Sequence, residues 1–169
     1  MAKSAWRKIY VSFWNDEFAR ELSPLAKLIF LGILTHPLVN ALGAIRQSPQ
    51  GLAFDLGVPF DRKFRKAFAE LSPAVVSDPR HPLIWARNFL KYNPPDNSNI
   101  VKGWLPMFLQ LPECETRREI LRAADEAALS RGAEIAQAFE EAFADFPEIR
   151  PSLARDKPND PPAGEVEDS

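Results

Sequence analysis

The central part of the chain alternates apolar stretches of helical length with short polar turns. Ser23 and Pro24 precede an almost uninterrupted apolar run, a pattern typical of a helix with Ser as N-cap and Pro in the first position. The apolar positions of this run leave little polar face, so we expect a helix that is buried on most sides. They are Leu25, Leu28, Ile29, Leu31 and Leu34. The pair at 36–37, His-Pro, ends the predicted helix.

Two shorter helices are predicted next, separated by a tight turn. Ser48 and Pro49 repeat the start signal, and Gly57 ends the first of these helices. Asp61 is the N-cap of the second helix, which spans 61–71. Its apolar residues recur at intervals of three and four, the spacing of one helix face. They are Phe64, Ala67, Phe68 and Leu71.

A β-hairpin is predicted to follow the third helix. Residues 74–77 are rich in β-branched side chains, residues 83–89 are mostly apolar, and the turn-forming segment 78–82 lies between them. Both alternate sets of positions include apolar residues, so the pattern does not identify the buried face. An earlier turn at 40–45 leads into another short extended piece.

The order of these elements favours a mainly α fold with a small β-hairpin wing (α+β). Helix, short strand, helix, turn, helix and hairpin is the arrangement of a winged helix-turn-helix. An all-α bundle would have no place for the hairpin, and a βαβ protein would have longer strands between its helices. We therefore predict a helix-turn-helix pair at 48–71, with 61–71 as the recognition helix. The wing is predicted at 74–89, and the whole domain at 1–92.

The C-terminal part is predicted to be helical and then disordered. A linker at 93–97 leads to a helical segment over 98–146, of which the Ala- and Glu-rich portion has high helix propensity. From Pro147 onward the chain contains five prolines in 23 residues and has an acidic end. This composition predicts a disordered acidic tail over 147–169.

One apolar stripe stands out within the C-terminal helical segment. Gly132 is a candidate break between two helices, and after it Ile135, Phe139 and Phe143 recur every four residues. Two interpretations are open. The stripe packs on the winged domain, or it forms a dimer contact or a docking surface for a partner protein.

Charge is divided unevenly along the chain. Residues 1–102 contain 14 Lys and Arg against 8 Asp and Glu, a net charge of +6, and residues 103–169 contain 7 against 15, a net charge of -8. The basic part indicates a polyanionic partner, which the overall pI of about 5.8 conceals. The alternative is two solvated surfaces of opposite sign.

The predicted recognition helix carries the densest group of cations. With Phe64, Phe68 and Leu71 facing the core, four basic residues fall on the exposed side. They are Arg62, Lys63, Arg65 and Lys66. Cations at the start of such a helix attract DNA phosphates, and Arg also recognises guanine in the major groove. The alternative is an ordinary solvated helix face.

Further cations flank this surface and are candidates for phosphate contacts. Arg80 lies at the predicted wing tip, and Arg46 directly precedes the second helix. Three more lie near the N-terminus, at Lys3, Arg7 and Lys8. We interpret His81, beside Arg80, as a polar turn residue.

Aromatic residues are dense near the N-terminus. They are Trp6, Phe13, Trp14 and Phe18. Aromatic side chains this close to a buried helix are typical of a core, so we expect packing rather than base stacking.

Signals of enzymatic chemistry are weak. The seven glycines form neither a P-loop nor a dinucleotide-binding motif. Cys114 is the only cysteine, which excludes a disulfide framework. His36, His81 and Cys114 are too few and too scattered along the chain for a zinc site. We therefore predict no enzyme, no catalytic residue, no cofactor and no metal.

Targeting and membrane signals are weak as well. The longest apolar stretch, over 28–34, is too short to cross a bilayer. The N-terminus has neither the continuous apolar region nor the small-residue cleavage site of a signal peptide. We expect a cytoplasmic protein that does not contact membranes.

Four segments of the chain together resemble a known family. They are VSFWNDEFARELSPLAKLIFLGILTHP at 11–37, ALGAIRQSPQGLAFDLGVP at 41–59, LIWARNFLKYNPPDNSNIVKGW at 83–104 and LPEC at 111–114. They resemble phage and prophage replication proteins with an N-terminal winged helix, which are similar in architecture to DnaD-like primosome components and phage replisome organisers. The likeness covers about residues 6–114.

The resemblance implies a role in the initiation of DNA replication. It implies binding to duplex DNA at a phage or prophage origin and help in recruiting the replicative helicase or its loader. The family's DNA-contacting helix corresponds by order to 61–71. Longer relatives carry a C-terminal domain that contacts single-stranded DNA and helicase, whereas this chain has an acidic helical segment and tail.

The leading expectation is therefore a double-stranded DNA-binding protein of phage or prophage replication, with a homo-oligomer as a further candidate assembly. A winged-helix transcriptional regulator would use the same mode of DNA binding. A protein–protein adaptor that does not bind DNA is the alternative from a different class.

Overall fold

The computed structural model describes residues 8–146, and the protein is mainly helical with one small antiparallel sheet. After a short 3-10 helix at Val11–Asn15, the helices are α1 (Glu17–Glu21), α2 (Pro24–Thr35), α3 (Pro49–Asp55), α4 (Arg62–Glu70), α5 (Phe89–Tyr92), α6 (Ser98–Leu109), α7 (Glu115–Leu129) and α8 (Ala133–Ala142). The strands are β1 (Ala44–Ile45), β2 (Val75–Asp78) and β3 (Leu83–Ala86). Lys3, Trp6, Arg7 and the tail predicted over 147–169 lie outside the described residues.

The predicted starts of α2 and α3 and the predicted end of α3 are confirmed. Ser23 Oγ accepts a hydrogen bond from the Ala26 N–H at 3.2 Å, and Ser48 Oγ accepts one from the Gly51 N–H at 3.2 Å. Each bond satisfies a backbone donor that has no partner within its own helix. Gly57 follows α3 with a φ of +66°, the left-handed conformation that commonly ends helices.

The three strands pair in the order β1-β3-β2, all antiparallel. All four residues of β3, the central strand, are buried. Apolar side chains are therefore covered on both faces of β3, which is why the alternation in the sequence did not distinguish them. The indole N–H of Trp85 donates to the Leu42 carbonyl at 3.1 Å, which satisfies the one polar atom of a buried side chain.

The succession of helix, strand, helix, helix and hairpin is that of a winged helix-turn-helix, as the sequence predicted. α2 packs on α4. At one end of this pair the Ser23 N–H donates to Glu70 Oε2 at 2.8 Å. The start of α2 is thereby joined to the end of α4, the predicted recognition helix.

The hairpin ends earlier than predicted. β3 stops at Ala86, and the residues expected to continue it to Phe89 turn away and begin α5. Phe89 and Leu90 are buried in that helix. The apolar run over 83–89 therefore spans two elements, because both the strand and the following helix contribute side chains to the core.

α2 is shielded on most sides, as predicted. Ala26, Ile29 and Ile33 are buried, and Leu25, Phe30 and Leu34 are half-buried against the same core, whereas Leu28 is 47% exposed. Even with this apolar composition, no helix in the described range has the length and apolar character needed to span a membrane.

The C-terminal helices pack against one another. Gly132, with a φ of +105°, separates α7 from α8 as predicted. The stripe of Ile135, Phe139 and Phe143 is buried, and its helix lies mainly against α6 and α7. The Phe143 ring is 5.6 Å from the Phe108 ring of α6. The stripe is thus covered by neighbouring C-terminal helices, so neither the predicted packing on the winged domain nor a free partner-docking face describes it.

The hydrophobic core is continuous from α2 to α8. α7 contacts both β2 and α5. Arg87, which follows β3, forms a salt bridge of 3.7 Å with Glu119 of α7, and Arg131 Nε donates to the Pro95 carbonyl at 3.2 Å. The C-terminal helices are therefore joined to the wing by apolar packing and by polar contacts.

We expect replacement of Phe139 by Ala to lower the free energy of unfolding by about 3–5 kcal/mol, since it opens a cavity in a packed core. The Phe139 ring is fully buried and stacks on Phe143 with 4.5 Å between ring centroids. The matched control is Phe54→Ala on α3, where the ring is 84% exposed and a change below about 0.5 kcal/mol is expected. Urea denaturation followed by circular dichroism measures both, and equal losses would contradict the packing of α8.

Candidate nucleic-acid interface

The two faces of α4 differ as the sequence predicted. Phe64 and Ala67 are buried, as is Leu71 directly after the helix, and Phe68 is half-buried. The four predicted cations are all exposed. They are Arg62, Lys63, Arg65 and Lys66. Four positive side chains therefore lie on the solvent side of the first half of one helix.

Asp61 defines where this helix begins. Its Oδ1 accepts hydrogen bonds from the N–H groups of Lys63 at 2.8 Å and Phe64 at 3.0 Å. These bonds, that of Phe64 foremost, hold the pKa of the Asp61 carboxyl below its ordinary value of 3.8. The carboxylate occupies two of the free N–H groups of the first turn, so the attraction of α4 for an anion resides mainly in its side chains.

The α4 cations have no salt-bridge partner among residues 8–146. Arg65 instead lies over the Phe60 ring, with its guanidinium carbon 4.8 Å from the ring centroid. On α7, by contrast, Arg118 and Arg122 both pair with Glu115, at 3.1 Å and 3.7 Å. Apart from the electrostatic attraction between Lys63 and the Asp61 carboxylate, the cations of α4 are therefore not paired with carboxylates, unlike those of α7.

The wing tip is a tight loop organised by Asp78. Asp78 Oδ1 accepts hydrogen bonds from the N–H groups of Arg80 at 2.8 Å and His81 at 3.1 Å. The Arg80 bond and the neighbouring His81 keep the pKa of the Asp78 carboxyl below its ordinary value. The loop backbone is thus held in place, and the exposed Arg80 side chain projects from it.

Arg46 lies at the same end of the sheet as the wing tip. In the antiparallel register Ile45 of β1 lies opposite Ile84, and Asp78 of β2 lies opposite Leu83. The residue after Ile45 therefore leaves the sheet toward the 79–82 turn. Arg46 is exposed there. The strand pairing brings Arg46 and Arg80 to one end of the sheet, which their separation in the sequence does not indicate.

The N-terminal aromatic residues are packed only in part. Phe18 and Phe30 make an edge-to-face contact with 5.9 Å between centroids, but Trp14 is 60% exposed. The expectation of a core position is therefore wrong for Trp14. Phe13, Phe30 and Tyr92 contribute to the wall of an apolar cavity of about 310 Å³ beneath this segment.

His36, directly after α2, makes hydrogen bonds that connect α2 to α3. Its Nδ1 accepts a hydrogen bond from the Leu38 N–H at 3.1 Å, so the proton is on Nε2, which lies 3.1 Å from Asp55 Oδ2. Gln47 Nε2 also donates to this carboxylate. The Gln47 bond and His36 lower the pKa of Asp55. These contacts connect α2 to α3 and fix the first part of the helix-turn-helix.

His81 and Cys114, the other two residues considered for metal binding, lie close together in the folded chain. Ligand atoms of His81 and Cys114 lie within 4.8 Å of each other and of an Asp78 carboxylate oxygen. The expectation that these residues are too dispersed for a site is wrong for His81 and Cys114. Contact between the wing and the start of α7 brings them together, and no local pattern in the sequence signals this contact.

Comparisons of the chain with protein-family models, with curated proteins and with solved structures gave no match.

Replacing Asp61 by Ala should lower the midpoint of urea denaturation at neutral pH, because two backbone N–H groups at the start of α4 lose their acceptor. The folded-state pKa of Asp61 is depressed. Its stabilising contribution is therefore present above the ordinary pKa of 3.8 and is lost as the pH falls through the folded-state value. We expect the difference between wild type and Asp61→Ala to shrink over that acidic range.

The control is Asp61→Asn, because Asn caps helices about as well but does not titrate. Its denaturation midpoint at neutral pH should stay close to that of the wild type. A difference between wild type and Asp61→Ala that is constant from neutral to acidic pH would argue against the cap.

Proposed function

We propose that this protein binds duplex DNA through α4 and the wing, and that it acts in the initiation of phage or prophage DNA replication. The observation that carries the DNA-binding part is the group of four exposed cations on α4 that lack salt-bridge partners among the described residues. In a winged helix-turn-helix, this helix is the one that enters the major groove.

The electrostatics of α4 suit a phosphate backbone. Each cation that neutralises a phosphate releases condensed counterions, which supplies affinity and makes it fall with salt. A cation already paired with a carboxylate must first give up that partner, as Arg118 and Arg122 of α7 would have to do. None of the α4 cations has a salt bridge to give up within the described residues, although Lys63 is attracted to Asp61, and this favours α4 over α7 as the DNA-binding surface.

The wing supplies a second anchoring point. Arg80 projects from a loop whose backbone is held by Asp78, and Arg46 leaves the sheet at the same end. Cations at such a position suit phosphates flanking the major groove, which fix register and orientation without reading sequence. Base recognition would then fall to the arginines of α4, since Arg can bind guanine through two hydrogen bonds.

The role in replication rests on the resemblance of residues 6–114 to phage and prophage replication proteins. In this proposal the protein binds origin DNA, and the helicase or its loader is the partner it helps to recruit. A transcriptional regulator would bind DNA in the same way, and helicase or loader genes beside its own gene would favour replication.

We expect the purified protein to bind a labelled duplex from its own gene region with a strong salt dependence. Four phosphate contacts predict a slope of about -3.6 in log K against log salt, a loss of roughly a hundredfold between 50 and 200 mM. Replacing Arg62, Lys63, Arg65 and Lys66 together by Ala should remove most of the affinity and flatten the slope. Fluorescence anisotropy at several salt concentrations measures both.

A matched control removes the same number of charges from exposed residues of α5, α6 and α7. It is Lys91, Lys102, Arg118 and Arg122, all replaced by Ala. We expect it to retain nearly the affinity of the wild type. If both quadruple variants lose affinity equally, binding reflects overall charge, and α4 is not the interface.

Replacing Arg80 by Ala should weaken binding to the gene-region duplex and to an unrelated duplex by the same factor, since a phosphate contact carries no base specificity. The salt slope should become shallower by about 1. Lys91→Ala, an exposed cation on α5, serves as the control and should leave the slope unchanged. A change in preference between the duplexes would instead place Arg80 against the bases.

A protein–protein adaptor is the second candidate function. Exposed apolar side chains on the surface of the winged domain favour it: Phe54 is 84% exposed and Leu38 is 60% exposed. Such side chains would contribute to an interface if a partner protein covered them. If the wild type does not bind duplex DNA even at low salt, and if reversing the charges of Lys63 and Lys66 leaves cellular function intact, the adaptor is the better account.

A further inference from the structure

Three side chains with metal-binding atoms meet where the wing contacts the start of α7. Asp78 ends β2, His81 lies in the wing loop, and Cys114 is the residue directly before α7. The Asp oxygen, the His nitrogen and the Cys sulfur all lie within 4.8 Å of one another. All three residues are half-buried. They come from two parts of the chain that meet only in the folded protein.

The distances within this cluster suit a small tetrahedral ion. His81 Nδ1 is 3.3 Å from Asp78 Oδ1. Two ligands bound at roughly 2.0–2.1 Å to one tetrahedral zinc ion lie about 3.3 Å apart. The Cys sulfur, within 4.8 Å, would move inward by about 1 Å to complete a third bond, since a Zn–S bond is about 2.3 Å long.

Two of the ligand atoms make no polar contact outside this cluster. His81 Nδ1 is shielded from solvent, and the Asp78 carboxylate, 3.3 Å away, is the polar group it faces among the described residues. A buried nitrogen in this state is costly, and an ion would compensate for the lost hydration. Cys114 occupies the N-cap position of α7, but its side chain makes no capping hydrogen bond. Its sulfur is therefore not committed to the helix start.

The carboxylate is held ready by the loop itself. The backbone N–H groups of Arg80 and His81 donate to Asp78 Oδ1, the oxygen that lies 3.3 Å from His81 Nδ1, and so fix the position of the side chain. Hydrogen bonds of this kind orient metal ligands and raise affinity. The donor set of one sulfur, one imidazole nitrogen and one carboxylate oxygen suits zinc better than magnesium or calcium, which require mostly oxygen.

We propose that Asp78, His81 and Cys114 bind a zinc ion, with solvent in the fourth position. The ion would join the wing loop to the first turn of α7, next to the exposed Arg80. Zinc binding at this site is independent of DNA binding, and it is tested on the protein without DNA.

The probe is Co²⁺, which occupies tetrahedral zinc sites and absorbs visible light. The full-length protein, with any affinity tag removed and after treatment with a chelator, is titrated with Co²⁺ under reducing conditions. We expect one equivalent to produce the bands of tetrahedral cobalt together with a thiolate-to-cobalt charge-transfer band. Zn²⁺ should displace the cobalt, and Mg²⁺ in excess should not.

Variants assign the ligands. Cys114→Ser should abolish the charge-transfer band, and Asp78→Asn and His81→Gln should each weaken cobalt binding by more than about tenfold, since loss of even an outer-shell partner costs that much. The matched control is Glu113→Gln, beside Cys114, whose carboxylate side chain is 93% exposed. It should bind cobalt like the wild type.

A second measurement keeps the test independent of folding defects. Each variant is first checked by circular dichroism without metal, and its thermal midpoint is then measured with and without Zn²⁺. Zinc should raise the midpoint of the wild type and of Glu113→Gln, but not that of Cys114→Ser. The proposal is overturned if the wild type shows no charge-transfer band, if Cys114→Ser retains it, or if Mg²⁺ stabilises the protein as much as Zn²⁺.

Discussion

The burial of one face of α4 is the constraint on which the proposed interface depends. Phe64 and Leu71 are fully buried, Ala67 is 3% exposed, and α2 packs against the helix. Because residues three and four apart share a helix face, this packing leaves the basic residues no position except the solvent side. The hydrophobic contacts that stabilise the fold thus also orient the charges that would meet DNA.

Ion pairing then distinguishes α4 from the rest of the basic surface. The chain as a whole has a net charge of -2, so a long-range field does not by itself explain an attraction to DNA. The difference between α4 and α7 is in their local ion pairing. The cations of α4 lack salt-bridge partners among the described residues, whereas Arg118 and Arg122 share Glu115 on α7. A cluster of exposed cations without salt-bridge partners can act on a nearby polyanion even though the rest of the chain is acidic.

The wing lies between β1 and the C-terminal helices. β3 pairs with β1, which precedes the helix-turn-helix, and α7 contacts β2 on the other side of the sheet. Asp78 holds the loop that presents Arg80, and the same loop places His81 near Cys114. The acidic C-terminal helices therefore share a core with the winged part and support its hairpin.

The local signals of the sequence determined where most elements begin and end. Caps such as Ser23, Ser48 and Asp61 act on backbone groups only a few residues away, and the spacing of Phe64, Ala67 and Leu71 identifies a helix face without any knowledge of its neighbour. For this reason the bounds of the helix-turn-helix and the exposed side of α4 were predicted correctly.

Tertiary structure alone decided the features that depend on residues far apart in the chain. Which helices cover Phe139, why Leu28 remains exposed, why Phe89 leaves the strand and how His81 comes to lie near Cys114 all follow from packing between separate elements. A periodic pattern shows that a face is apolar, but it carries no information about which surface covers that face. Only the folded chain supplies the neighbour, because close packing selects it from all the surfaces present.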